Sequence, residues 1–175
     1  MNNTAEIKLQ LLNINELLRS PVSNYLKSII TTDAEEFIVE EAEALPPKAP
    51  ININVHLALS EIKHKEDIAP AIRRHFCYRK EQSLKEYKRI FKYGWRILFI
   101  ALGLLAVIFT ITEIAFYYMP DNKPLLFIHE SFIILSWVAL WRPLELLLYE
   151  WYPVKTDIIL YSRLEHSNVQ VIINE

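Results

Sequence analysis

The chain has 175 residues, 52% of them apolar, with 19 Lys and Arg against 21 Asp and Glu and a formal net charge of −2. That balance excludes a general nucleic-acid binder, because it leaves no basic excess to neutralise a phosphate backbone. The single cysteine, Cys77, excludes an intrachain disulfide, and the only two glycines, Gly94 and Gly103, leave no Walker-type or dinucleotide loop.

Near the start of the chain, Glu6, Ile7, Lys8, Leu9, Gln10 and Leu11 alternate polar and apolar, the period of a half-buried strand. The first twenty residues carry neither a basic nor an apolar leader region, so no cleavable signal is expected and the first apolar span must direct its own insertion. A short helical turn is expected at residues 15–18. Thr32 with Glu35 and Asp33 with Glu36 form overlapping capping-box patterns, which predict a helix from there to about Leu45. Ala34, Phe37, Ile38, Ala42 and Leu45 line one face of it, the glutamates lie mostly off that face, and Pro46 and Pro47 end it.

Ile51, Ile53, Val55 and Leu57 alternate with Asn52, Asn54 and His56 as a second strand. From about Ile68 a helix continues without a breaker before Gly94 and on to Tyr118. Its first part is basic: nine Lys and Arg against Glu81 and Glu86 between Arg73 and Arg96. Its last part, residues 97–118, holds one ionisable carboxylate, Glu113, in 22 residues, about the length that crosses a hydrocarbon core. Residues 119–124 read as a turn. Apolar sequence resumes over residues 125–141, which predicts an antiparallel transmembrane hairpin. Arg142 and Pro143 mark where the second span leaves the hydrocarbon or kinks, and Pro153 is expected to break the chain again. Thr156 or Asp157 then caps a short helix to about Glu165, and Val169, Val171 and Ile173 alternate with Gln170, Ile172 and Asn174 as a third strand.

A lone strand is unstable in water, so the strands at both ends of the chain are expected to meet in one sheet. The fold class that follows is an α+β membrane protein: a two-helix transmembrane hairpin with a long juxtamembrane helix and a small mixed β-sheet domain built from both termini. The expected divisions are residues 1–92 (α/β region and juxtamembrane basic helix), 93–152 (hairpin) and 153–175 (C-terminal helix and strand joining the first region). Basic residues flank both spans on one side, while Lys123 alone occupies the short loop, so both termini are expected in the cytoplasm.

Three groups of residues are candidate sites. Glu113, His129 and Glu130 reach similar depth near the outer face, where an ionised carboxylate is costly. They read as a polar clasp between helices, as an ion or proton site repeated around an oligomer, or as shallow exposure at the interface. Arg142 and Glu145, three residues apart, can pair on one helix face as an interfacial anchor. Arg89, Lys92 and Arg96 fit contact with anionic lipid. His64, His75 and Cys77 match no zinc spacing, so no metal and no cofactor is expected. No nucleophile context or other catalytic constellation is present, so an enzyme is not expected.

The runs WVALWRPLELLLYEWYP, DAEEFIVEEAEALP and ININVHLAL resemble a family of small uncharacterised bacterial membrane proteins with two spans and a cytoplasmic α/β portion. The resemblance covers most of the chain, and Trp141-Arg142-Pro143-Leu144-Glu145 is its most specific part. It implies a bacterial plasma membrane location and transfers no catalytic residue. The expected role is a non-enzymatic, membrane-anchored oligomeric interaction or scaffold module that contacts the bilayer, further copies of itself and a cytoplasmic protein. The alternative is a small oligomeric ion or proton channel or transporter using Glu113 and Glu130.

Overall fold

A computed structural model describes residues 5–11, 13–18, 30–47, 49–58, 65–119 and 123–174. Pro120, Asp121 and Asn122 of the expected turn, and His64, lie outside the described residues. The structure is mostly helical, with a small parallel sheet of three strands and two long apolar helices. The elements are strand β1 (Ala5–Leu11), helices α1 (Ile14–Leu17) and α2 (Thr32–Ala44), strand β2 (Ile51–Ala58) and helix α3 (Lys65–Tyr118). Helix α4 (Lys123–Glu145), a π turn (Leu146–Glu150), helix α5 (Trp151–Glu165) and strand β3 (Asn168–Asn174) follow. They divide into an α/β unit, residues 1–84 and 155–175, and a two-helix unit, residues 85–154.

In the α/β unit the strands lie in the order β1-β2-β3. The sheet is wholly parallel, not mixed as expected from sequence. Each connection between neighbouring strands contains helices, and such a crossover is what like-directed strands require. Register places Ile7 beside Ile53 and Val169, and Leu9 beside Val55 and Val171. Because side chains alternate along a strand, these residues share one face, which packs on Ile38 of α2, Ile72 and Phe76 of α3 and Leu164 of α5 in a single core. The opposite face carries Lys8, Asn54 and Gln170 in one row and Gln10, His56 and Ile172 in the next.

The helix ends differ from the expected ones in three places. The residue capping α2 is Thr31, not Thr32: its backbone is extended and its hydroxyl accepts from the Ala34 N–H at 3.4 Å. The same hydroxyl donates to the Glu16 carbonyl, tying α1 to the start of α2. Helix α3 begins at Lys65, so Pro70 sits beyond the first turn, and Glu66 and Asp67 place negative charge at the helix N-terminus. Pro153 does not break the chain. It lies inside α5, directly after a π turn whose wider i to i+5 bonding shifts the carbonyls that a proline ring would otherwise strike.

In the two-helix unit most large apolar side chains of α3 and α4 point outward. Only 17% of the most apolar 18-residue window of α3 is buried, and 6% of the corresponding window in residues 123–165. Both helices are long and apolar enough to cross a membrane. The contacts of α3 with the following segment run in opposite senses along the chain: Phe116 and Phe109 meet His129 of α4, Gly94 lies against Leu146 and Leu147 of the π turn, and Phe91 and Tyr87 meet Trp151 at the start of α5. Gly94 allows a close approach, because a Cβ there would come within 2.9 Å of Leu147 Cδ2 and the leucine tip would have to shift. Gly103 has no atom within 4 Å of such a Cβ.

Candidate functional site

The chemistry-bearing residues of the two-helix unit lie near the two ends of its apolar stretches. At the end near Lys123, His129 points between the rings of Phe109 and Phe116, edge-on to both, with centroids 6.0 and 5.3 Å away. Its Nδ1 is shielded from solvent and has no hydrogen-bond partner among the described residues. Glu113 and Glu130 are exposed, with no hydrogen bond or ion pair among the described residues. The neighbouring hydroxyls do not bridge the helices. Thr110, Thr112, Ser131 and Ser136 each return a hydrogen bond to a carbonyl of their own helix, three or four residues back. Within one chain the three predicted residues therefore share a region without forming a bonded cluster.

At the other end, Arg142 Nη1 lies 2.9 Å from Glu145 Oε2 and 2.6 Å from Glu150 Oε1. The first pair spans three residues of regular helix. The second spans eight and reaches across the π turn. Arg89, Lys92 and Arg96 are exposed on α3. Between these ends an apolar groove of about 580 Å³ runs along α4, lined by Phe109, Ile133, Trp137, Leu140 and Trp141 and reaching Glu145 and Tyr149.

The α/β unit holds two ionic clusters that local sequence patterns did not single out. Glu35 of α2 reaches His75 and Arg79 of α3, with His75 Nε2 3.1 Å from one carboxylate oxygen and Arg79 Nε against the other. His75 is fully buried, and Arg79 also lies over the Tyr161 ring at 5.8 Å. Burial pushes the His75 imidazole below its ordinary range, outweighing the attraction of Glu35. In the second cluster Lys80 pairs with Glu165, which holds the Glu165 carboxyl below its usual range. The hydrogen bond between Cys77 and Glu165 raises the thiol above its ordinary value, which favours the unreactive protonated form. Glu35 was assigned by spacing to a capping box, while its actual partners lie 40 and 44 residues away. Complementary charge on two helices, acidic on α2 and basic on α3, was the available signal. Among the described residues no three His, Cys, Asp or Glu side chains converge as metal ligands would.

Comparison with known proteins gives no matching family model, no matching curated protein and no matching solved structure. The functional reading therefore rests on the geometry of this chain.

Proposed function

We propose that the chain is a non-enzymatic integral membrane protein of the bacterial plasma membrane, an anchored scaffold that assembles with copies of itself and presents its α/β unit to a cytoplasmic protein. The observation that carries this reading is the outward display of Phe99, Ile100, Ile111, Ile134, Trp137 and Val138 on two helices of spanning length. Each such side chain left in water forgoes about 1.5–3 kcal/mol of burial, which a hydrocarbon environment restores. The contacts of Phe109 and Phe116 with His129, and those of α3 with the π turn and the start of α5 in the opposite chain sense, support an antiparallel hairpin over residues 97–118 and 125–141. Tyr93, Trp95, Trp141, Tyr149 and Tyr152 sit where the amphipathic rings of one interface belong, and Tyr117 and Tyr118 where those of the other do. The basic residues of α3 then face the cytoplasm. Contact between copies would cover Glu113 and Glu130, which a single chain leaves exposed among apolar side chains.

Orientation is tested by thiol labelling in right-side-out vesicles, with Met119→Cys in a Cys77→Ser background. An impermeant maleimide should label position 119 from outside, while Cys77 of the wild type stays protected until the vesicles are opened. Labelling of position 119 only from the cytoplasmic side overturns the hairpin.

A second reading is favoured by the same exposed carboxylates: an oligomer whose Glu113 and Glu130 line an ion or proton path. Flux into liposomes that falls in Glu113→Gln or Glu130→Gln supports it, and absence of flux in the wild type ends it.

A further inference from the structure

A charged cleft lies between α3 and the π turn, and it brings Arg142 of the expected anchor pair together with Arg89 of the expected lipid-contact group. It measures about 430 Å³, within the ordinary range of small-ligand sites. Ile90 and the buried Leu146 contribute its apolar lining; its polar groups are Glu86, Arg89 and Tyr93 from α3 and Arg142 and Glu150 from the opposite segment. We infer that this cleft binds the headgroup of a zwitterionic phospholipid bearing a primary ammonium, of the phosphoethanolamine class. The inference rests on the membrane reading above and adds a ligand to it.

Charge balance is the first argument. Two guanidiniums and two carboxylates line the cleft, so neither a simple anion nor a simple cation matches it, whereas a ligand with one phosphate and one ammonium does. Order along the helices is the second. On α3, Tyr93 lies nearest the apolar span, Arg89 one turn further out and Glu86 about 4.5 Å beyond that. On the facing segment Arg142 and Glu150 meet, with Nη1 of the first 2.6 Å from Oε1 of the second. A phospholipid leaving the bilayer presents its groups in the same sequence: acyl chains, phosphate, then ammonium across a two-carbon linker. Arg89, Arg142 and the Tyr93 hydroxyl are thus placed for phosphate oxygens, and Glu86 for the ammonium, while Glu150 is held by Arg142.

Donor availability is the third argument. Both hydrogen bonds of Arg142 use Nη1, which leaves Nη2 and Nε to meet a phosphate in the forked geometry that guanidinium favours. Glu145 and Glu150 hold that fork in place, so little side-chain freedom is lost on binding. A quaternary choline ammonium has no N–H to donate to Glu86. A purely anionic headgroup meets the repulsion of that carboxylate.

The test uses the full chain, stripped of lipid in detergent and titrated with short-chain phosphatidylethanolamine, phosphatidylcholine and phosphatidylglycerol, with bound lipid counted by native mass spectrometry. The wild type should bind the ethanolamine lipid about tenfold more tightly than the other two, the scale of one charge-assisted hydrogen bond. Glu86→Gln should remove that preference while keeping phosphate binding, Arg89→Gln should weaken all three lipids, and Lys8→Gln, on the sheet of the α/β unit, should change nothing. Equal binding of ethanolamine and choline lipids by the wild type, or a preference for phosphatidylglycerol, overturns the inference. If the chain instead proves soluble without detergent, the membrane reading fails, and the same short-chain lipids in water still read the cleft directly.

Discussion

The α/β unit and the two-helix unit use the same apolar residue types in opposite ways. Ile38, Ile53, Ile72 and Phe76 of the first are fully buried, while Phe99, Ile100, Ile111 and Trp137 of the second face outward. Helix α3 shows the change within one element. Ile68, Ile72 and Phe76 recur every four residues and form one inward stripe, but from residue 97 onward the helix is apolar on all sides. A stripe implies a core on one side and water on the other. An all-round apolar surface without cover is what the proposed lipid environment would accommodate.

The largest effect expected from this contrast comes from a matched pair of truncations. Phe76→Ala should destabilise the α/β unit by about 3–5 kcal/mol, since it leaves a cavity under the sheet and removes the stacking contact with Tyr161. Phe99→Ala should change unfolding in detergent by no more than about 0.5 kcal/mol, because its ring contributes to no core. Chemical denaturation of both variants reads the difference, and equal losses would break the comparison.

A smaller effect separates the two glycines. Gly94→Ala pushes a methyl against Leu147 and should cost about 1 kcal/mol, the low end of overpacking because the leucine tip can yield. Gly103→Ala enters open space and should be neutral, or stabilising by up to about 1 kcal/mol through helix propensity. Thermal melting in the same detergent compares them.

Acidification should act on the α/β unit. Groups facing His75 are Glu35 from α2 and Arg79 from its own helix, with Tyr161 of α5 beyond Arg79. Since burial lowers the folded-state pKa of His75 below about 6.5, the unfolded chain takes up a proton first as pH falls, and stability drops through that value. The lowered Glu165 carboxyl adds a further loss below about pH 4.5, as the Lys80 pair is neutralised. His75→Gln should flatten the first part of a pH–stability curve measured from pH 7.5 to 5.5. A curve as steep as that of the wild type would remove His75 from the account. The smallest expected effect is kinetic: Cys77 should alkylate more slowly than an unstructured thiol at pH 7.5, and Glu165→Gln should speed it up.

The strands were legible because a period of two survives any packing arrangement, and Ile7, Ile53 and Val169 fall on one face as the alternation requires. Their direction was not, since it depends on where the helical connections return the chain. Pro153 misled because a breaker rule assumes regular α-helical bonding on both sides, and the π turn removes that premise. The same turn hid the Arg142–Glu150 contact, whereas the Arg142–Glu145 pair follows from spacing alone. Glu35 was legible as a helix-start residue but not as the partner of His75 and Arg79, because that pairing exists only once α2 and α3 pack on the sheet. The cleft formed by Glu86, Arg89, Tyr93, Arg142 and Glu150 could not be read from either helix separately.

Alkaline carbonate extraction of membranes from cells expressing the intact chain tests the central claim most directly. The chain should remain in the pellet and enter solution only when detergent is added. Recovery in the carbonate supernatant, as a single monodisperse species without detergent, would show that the outward apolar faces of α3 and α4 do not lie in lipid and would contradict the account.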